Sequence, residues 1–297
     1  MANFTPLNLV VMRCLMTTIA MFGALVALAQ GDGQFAPNAA LGLRLENASY
    51  VVDFDEQDGV AHWVHYALTA QEATGFIPRK DAFRGDPRVG GSPDEKSYAG
   101  SGYDRGHLKP AADSRSSAEE MRNSFLMTNM APQTPNLNRG IWKELEEAVR
   151  GWAVAYGTVH VSCGPGLETY DVLASGVRVP DMFWKAILRT APDTSCVAFV
   201  FPNAEKVPGE LGGYQMSVDA LEQILGMDLF SALPDGTEAR LESEVVVWPA
   251  VEAAPVQSAP SPSQPGAKVQ CMGIAKSTGR RCQKTTIDPS GYCHLHR

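Results

Sequence analysis

"YDRGHLKPAAD", Tyr103–Asp113, places a carboxylate, a guanidinium, a glycine and an imidazole side by side at Asp104, Arg105, Gly106 and His107. Neutral imidazole takes a proton from water near pH 7, because its unperturbed pKa is about 6.5. A guanidinium is permanently charged and fork-shaped, and so suited to phosphate oxygens. Glycine permits a close backbone approach that a side chain would block. Four residues alone also fit a solvated, charged turn, and the surrounding chain decides between the two.

The decisive context is "LMTNMAPQTPNLNRGIWKELE", Leu126–Glu146. It reads as a short apolar strand, then the start of the best helix in the chain near Asn138. Ile141, Leu145, Ala148, Val149, Trp152 and Tyr156 recur there at helical spacing. Asn129 falls at the strand end and Asn138 at the helix start. An Asn carbonyl is a hard oxygen donor suited to Mg²⁺, which keeps most of its waters when the protein offers one ligand. On one continuous helix Glu146 would lie about 80° around the axis from Asn138, placed to receive hydrogen bonds from metal-bound water. Asn138 also suits a plain N-cap, and Glu146 a surface position in an acidic run with Glu144 and Glu147.

Upstream, "SYVVDFDEQDGVAHWVHYALT" predicts two strands around a Gln57-Asp58-Gly59 turn. A Gly-, Pro-, Arg- and Asp-rich loop, Pro78–Gly102, leads into the motif, and "SSAEEMRNSF" predicts a short Ser-capped helix. Downstream, "TVHVSCG", "FWKAILR" and "SCVAFVFP" read as strands with a buried face, and "SVDALEQILG" as a final helix. The body closes near Trp248. This order of elements predicts an α+β domain.

These segments resemble the non-specific DNA/RNA endonucleases of the ββα-metal (His-Me finger) superfamily, which include endonuclease G. "SGYDRGHLKPAADS" and "TNMAPQTPNLNRGIWKELE" carry the resemblance, which runs from about Ser49 to Leu229. It implies a ββα-metal nuclease fold, with a central mainly antiparallel sheet flanked by helices. It also implies hydrolysis of DNA and RNA to 5′-phosphate ends, using one Mg²⁺ for which Mn²⁺ substitutes. His107 would be the general base, Asn138 the protein ligand of the metal, and Glu146 the residue orienting its waters. Arg105 would stabilise charge on phosphorus and Asn129 would support the site. The family has a further upstream arginine; Arg79 and Arg84 in "PRKDAFRGD" are both candidates, Arg79 preferred. Lys109, Arg115, Arg139 and Lys143 would line a nucleic-acid groove. A homodimer and an inhibitor partner are left open. The alternative is a protein of this fold that binds nucleic acid with little catalysis. In a second alternative the zinc-type C-terminal tail recruits a protein partner, with the nuclease as its effector.

Composition sets the rest. The 297 residues, 44% hydrophobic and 20% charged, describe a globular chain with a formal charge of −8. From Lys268 onward six cations face one acid, Asp288, so the tail carries +5 and the remainder −13. Overall charge therefore does not draw the body to a polyanion; a local basic groove must. Cys14–Ala29 is apolar or small, follows Arg13 and ends in Ala27-Leu28-Ala29. That predicts a cleaved export signal over 1–29 and a secreted or periplasmic protein, the alternative being an uncleaved membrane anchor. The nuclease domain would span 30–248, and 249–268, rich in Pro, Ala and Ser, would be a linker. In 269–297, Cys271, Cys282 and Cys293 recur every eleven residues and His296 follows, a set suited to a closed Zn²⁺ site. So short a segment needs the metal to fold. His294 is an alternative fourth ligand, and disulfides are the competing reading of an exported tail. Cys163 and Cys196, on strands that read as neighbours, would then pair as well.

Overall fold

The computed structural model describes residues 33–251, 269–274, 281–286, 291–293, 295 and 296. The expected export segment, most of the linker and His294 lie outside the described residues. Among the described residues no helix is long and apolar enough to cross a membrane.

Seven strands form one sheet that is antiparallel throughout: β1 (Leu43–Glu46), β2 (Val51–Asp55), β3 (Val60–Thr69), β6 (Thr158–Gly166), β7 (Met182–Arg189), β8 (Ser195–Pro202) and β9 (Gln215–Met216), in that spatial order. Between β3 and β6 the chain leaves the sheet and builds the short helix α1 (Ala70–Ala73), the separate ribbon of β4 (Asp104–His107) and β5 (Met130–Gln133), and three helices. These are α2 (Ala118–Asn123), α3 (Pro135–Arg139) and α4 (Ile141–Tyr156). After β9 come α5 (Val218–Leu225) and α6 (Asp235–Glu242); β10 (Val269–Gln270) pairs with β11 (Thr285–Thr286) in the tail.

Both faces of the sheet are covered, which is why its central strands read as near-continuous apolar runs. Along β7, Phe183 and Ile187 enter one core while Trp184, Ala186 and Leu188 enter the other, the period-two alternation of a strand. The first core takes Trp142, Leu145, Val149 and Trp152 from α4 with Leu108, Met130 and Ala131 from the ribbon. The second takes Val218 and Leu221 from α5 and Leu241 from α6. The sheet is the wall on which α4 and the ribbon are held.

Several expectations change. The helix expected from Asn138 is broken at Gly140, whose backbone (φ −103°, ψ −119°) leaves the helical range. Asn138 therefore belongs to the short α3 and Glu146 to α4, so the single-axis angle between them does not apply. A Cβ at Gly140 would collide with the Asn136 carbonyl, so glycine allows the break. "LMTN" forms a 3₁₀ turn, with the strand starting one residue later at Met130. The helix of "SVDALEQILG" is followed by α6. Cys163 and Cys196 are free and do not pair. Strand β7 separates theirs, and their side chains enter opposite cores, where their thiols contact the Leu108 and Leu241 carbonyls at 3.3 and 3.4 Å.

Candidate active site

Strand periodicity puts Arg105 and His107 on one side of β4 and Asp104 and Gly106 on the other. The β4–β5 register sets Asp104 opposite Gln133 and His107 opposite Met130. A Cβ at Gly106 would overlap the Gln133 side chain, so glycine lets the two strands close at this point.

The His107 imidazole sits edge-on to Phe125, with centroids 5.0 Å apart and planes at 88°, and lies 5.8 Å from Phe83. Two guanidiniums lie over these same rings: Arg79 over Phe125 at 5.3 Å and Arg105 over Phe83 at 4.2 Å. An aromatic shelf thus carries one imidazole and two cations. Burial, then the charges of Arg79 and Arg105, push the His107 pKa down to about 3, with Asp81 opposing, so the ring is neutral. Its Nε2 is buried without a hydrogen-bond partner. Of the two upstream arginines, Arg79 is the one at the shelf; Arg84 instead donates to the Arg122 carbonyl at 2.6 Å.

Asp104 organises the metal-ligand candidate. It accepts from Asn138 Nδ2 at 2.8 Å, and from Arg139 Nε and Nη2 at 2.8 and 2.6 Å. With the amide nitrogen committed to that carboxylate, the Asn138 carbonyl oxygen is turned away from it and available to a hard cation. Gln133, buried beside Gly106, has neither amide atom hydrogen-bonded. From sequence Asp104 reads as a structural carboxylate that holds the turn or an arginine, and it does hold Arg139. Gln133 carried no signal beyond its place opposite Asp104 across the two quoted motifs.

Trp142, Glu146 and Arg150 are spaced four apart and share a face of α4. Arg150 Nη1 meets Asp113 at 2.9 Å. Burial raises the Glu146 pKa to about 7, opposed by Lys185, reinforced by Asp113 and opposed by Arg150. Lys185 is a buried lysine on β7 that lies 4.5 Å from the Trp142 ring. A half-buried carboxyl poised near neutrality thus feels the charges of Asp113, Arg150 and Lys185. Of these, Asp113 and Lys185 are fully buried, the latter a lysine that the apolar look of "FWKAILR" concealed.

The remaining expected residues divide by exposure. Asn129 is buried and fully engaged: Nδ2 donates to the Lys109 and Ser124 carbonyls and Oδ1 accepts from Lys109 N, each at 2.9 Å. It pins the chain leaving His107 and does not face a substrate. Lys109, expected in the nucleic-acid groove, is a correction. It is fully buried, its Nζ donating to the Ser49 carbonyl and Oγ at 2.8 Å and lying 4.9 Å from the Tyr66 ring. Arg115 is half-buried and donates to the Ile77 carbonyl at 3.0 Å. Arg139 and Lys143 remain on the surface, paired with Asp104 and Glu147.

In the tail, Cys271, Cys282, Cys293 and His296 converge with ligand atoms all within 4.8 Å of one another. The Cys282–Cys293 sulfur separation is 3.9 Å, and His296 Nδ1 lies 3.4 Å from the sulfurs of Cys271 and Cys293. A tetrahedron about Zn²⁺ has edges of about 3.8 Å between sulfurs and about 3.5 Å between sulfur and nitrogen, so the donor set fits that ion. Nε2 of His296 meets the Ile274 carbonyl at 2.8 Å, the outer contact that orients a ligating imidazole. Burial opposes ionisation at Cys271, yet the amides of Cys293 and Gly273 bring its thiol down to about 6. All three tail cysteines are free of disulfides. Tyr292 packs onto the cluster of Ile77, Ala111, Met121 and Phe125, so the tail reaches the shelf under His107.

A β4–β5 ribbon that carries Arg105 and His107 and feeds a helix whose Asn138 is tied back to it through Asp104 defines a nuclease of the ββα class. The chain belongs to the DNA/RNA non-specific endonuclease family, whose model matches residues 36–236. It is 31% identical over 209 residues to a nuclease of Nostoc sp., covering 66% of this chain and 76% of that one. Nuclease C1 of Cunninghamella echinulata var. echinulata is 33% identical over 213 residues, covering 65% and 84%. Human mitochondrial endonuclease G is 31% identical over 199 residues, covering 60% and 66%. In a crystal structure of the EndoG/EndoGI complex, the matching chain superposes with a TM-score of 0.62 at 27% identity, covering 66% of this chain and 88% of that one. The protein is thus an endonuclease of DNA and RNA without sequence preference.

Proposed function

We propose that this endonuclease uses His107 as general base and a single divalent cation held by Asn138, and that it releases 5′-phosphate ends. The observation that carries this reading is the neutral imidazole set between two guanidiniums on the Phe83–Phe125 shelf. With Nε2 sealed inside, Nδ1 is the nitrogen that receives the proton of the attacking water. Arg79 and Arg105 hold the phosphate oxygens and stabilise the charge that grows on phosphorus as the P–O3′ bond breaks. The bound phosphate offsets the two cations that depress His107, so the base strengthens when substrate is in place. Mg²⁺, or Mn²⁺ in its stead, supplies charge neutralisation on the phosphate and at the leaving 3′-oxygen. Glu146 orients water around the cation, and Asp104 keeps the Asn138 carbonyl in position.

The protein is proposed to be exported through residues 1–29, and its tail to bind one Zn²⁺ and nucleic acid. Support for the tail's roles is the tetrahedral Cys271–Cys282–Cys293–His296 set, the +5 charge and the contact of Tyr292 beside the shelf.

Plasmid and RNA digestion with and without EDTA tests the core of the reading, with end-group analysis of the products. Activity should vanish in EDTA and return with Mg²⁺, and His107→Ala should lose about 10²- to 10⁴-fold in rate. Wild-type activity in His107→Ala, or 3′-phosphate products, would refute the assignment.

A further inference from the structure

The sheet face opposite the ribbon holds an unbalanced concentration of negative charge. Asp219 and Glu222 stand three residues apart on α5 and so share a side; Glu242 ends α6. One carboxylate oxygen from each lies within 4.8 Å of the others. Glu242 is only 3% exposed, and its Oε1 has no hydrogen-bond partner. The charges that bear on it are those of Glu222, Glu238, Asp219 and Asp228, all acidic. Helix α6 buries just Leu241 and Glu242 and has no side-chain N-cap, so apolar packing alone gives it little reason to dock with a carboxylate inward. Glu222 is fixed in place by the Leu229 amide, which donates to Oε1 at 2.6 Å.

A buried, unpartnered carboxylate among like charges is what a bound cation would resolve. We propose that Asp219, Glu222 and Glu242 bind a calcium ion that ties α6 to α5, at a site separate from the catalytic centre. The donors are all hard oxygens, which excludes a preference for the thiophilic metals that the tail suits. Three carboxylate oxygens this near one another can share one cation. Ca²⁺ accepts irregular oxygen sets of variable number, whereas Mg²⁺ demands near-ideal octahedral geometry, which three side chains on two helices do not impose. Asp219 and Glu222 are half-buried, which leaves room for water to complete the shell.

The test uses full-length protein carrying Asn138→Ala, to remove the proposed catalytic cation, with zinc retained and alkaline-earth ions dialysed away. Calorimetric titration and thermal melting with CaCl₂ should show one bound Ca²⁺ that raises Tm, with Mg²⁺ binding at least about tenfold more weakly. Adding Glu242→Gln or Asp219→Asn should weaken Ca²⁺ binding at least about tenfold; in the otherwise native chain, each should leave the Mg²⁺-dependent cleavage rate unchanged. Asp219→Asn, at a half-buried position, answers if Glu242→Gln does not fold. The proposal is overturned if Ca²⁺ up to about 10 mM, above the weakest calcium modules, leaves Tm unmoved. It is equally overturned if both carboxylate variants respond to Ca²⁺ like the parent, or if Mg²⁺ binds as tightly as Ca²⁺.

Discussion

His107 works beside two cations, and that sets how the enzyme should respond to acid. Because burial, Arg79 and Arg105 hold the free imidazole near 3, it remains a competent base well below its ordinary range. The limb of kcat/KM that it governs should therefore lie far to the acid side of pH 6.5, since kcat/KM reports the free enzyme. Removing a cation favours the protonated ring, so Arg79→Ala should move that limb to higher pH; an unmoved limb would separate Arg79 from the site. Glu146, raised to about 7 by burial, should give a second limb near neutrality that disappears in Glu146→Gln. Lys109 makes the opposite point about single residues. Its ammonium serves the buried Ser49 oxygens, so Lys109→Ala should cost about 1–3 kcal/mol in denaturant unfolding by orphaning them. The salt dependence of DNA binding should be unchanged. If Lys109 touched phosphate instead, its loss would lower the log–log salt slope by about 0.9.

At the level of elements, the site is the meeting of the β4–β5 ribbon with α3, and Asp104 is the clasp. It holds Asn138 and Arg139 from a strand that the sequence places 34 residues earlier. Asp104→Ala touches no reacting atom, yet it should raise the Mg²⁺ concentration needed for half-maximal activity and leave much of the rate recoverable at saturating Mg²⁺. His107→Ala should show no such recovery. A wild-type Mg²⁺ requirement in Asp104→Ala would mean that α3 holds Asn138 unaided. The break at Gly140 belongs to the same scale. It divides what periodicity presents as one helix into two, so that α3 serves the ribbon while α4 carries Glu146 and Arg150 to the sheet.

For the whole molecule, the question is how the body and tail share the substrate. Trp248 is buried, and the Pro249 carbonyl accepts from Trp152 Nε1 at 3.0 Å, so the body must be cut after Val251 to remain intact. That truncation should keep the maximal rate near the full-length value at low salt, but raise KM increasingly as salt rises, because the positive tail is removed from an acidic body. Metal analysis of the full chain should find one zinc, lost in Cys282→Ser. A KM equal to that of the full chain at every salt concentration would reduce the tail to a passive appendage.

What the sequence determined by itself was whatever depends on local order. The hairpin around Gly59, the Ser117-capped helix, the apolar stripe of α4 and the strands β6 to β8 follow from period, capping and turn chemistry acting over a few residues. So do the motif pair around His107 and Asn138 and the four metal-type ligands of the tail. What tertiary structure alone decided was which side chains face one another across long separations. Lys109 and Lys185 look like surface cations until Ser49, Tyr66 and Trp142 close over them. Cys163 and Cys196 look pairable until β7 is found between their strands, and Gln133 looks like loop filler until it meets Gly106. Local sequence fixes the direction of a side chain from its own backbone, but burial and partners come from segments tens of residues away. Those contacts are set by sheet order and by which face each element turns to the core, and short-range pattern encodes neither.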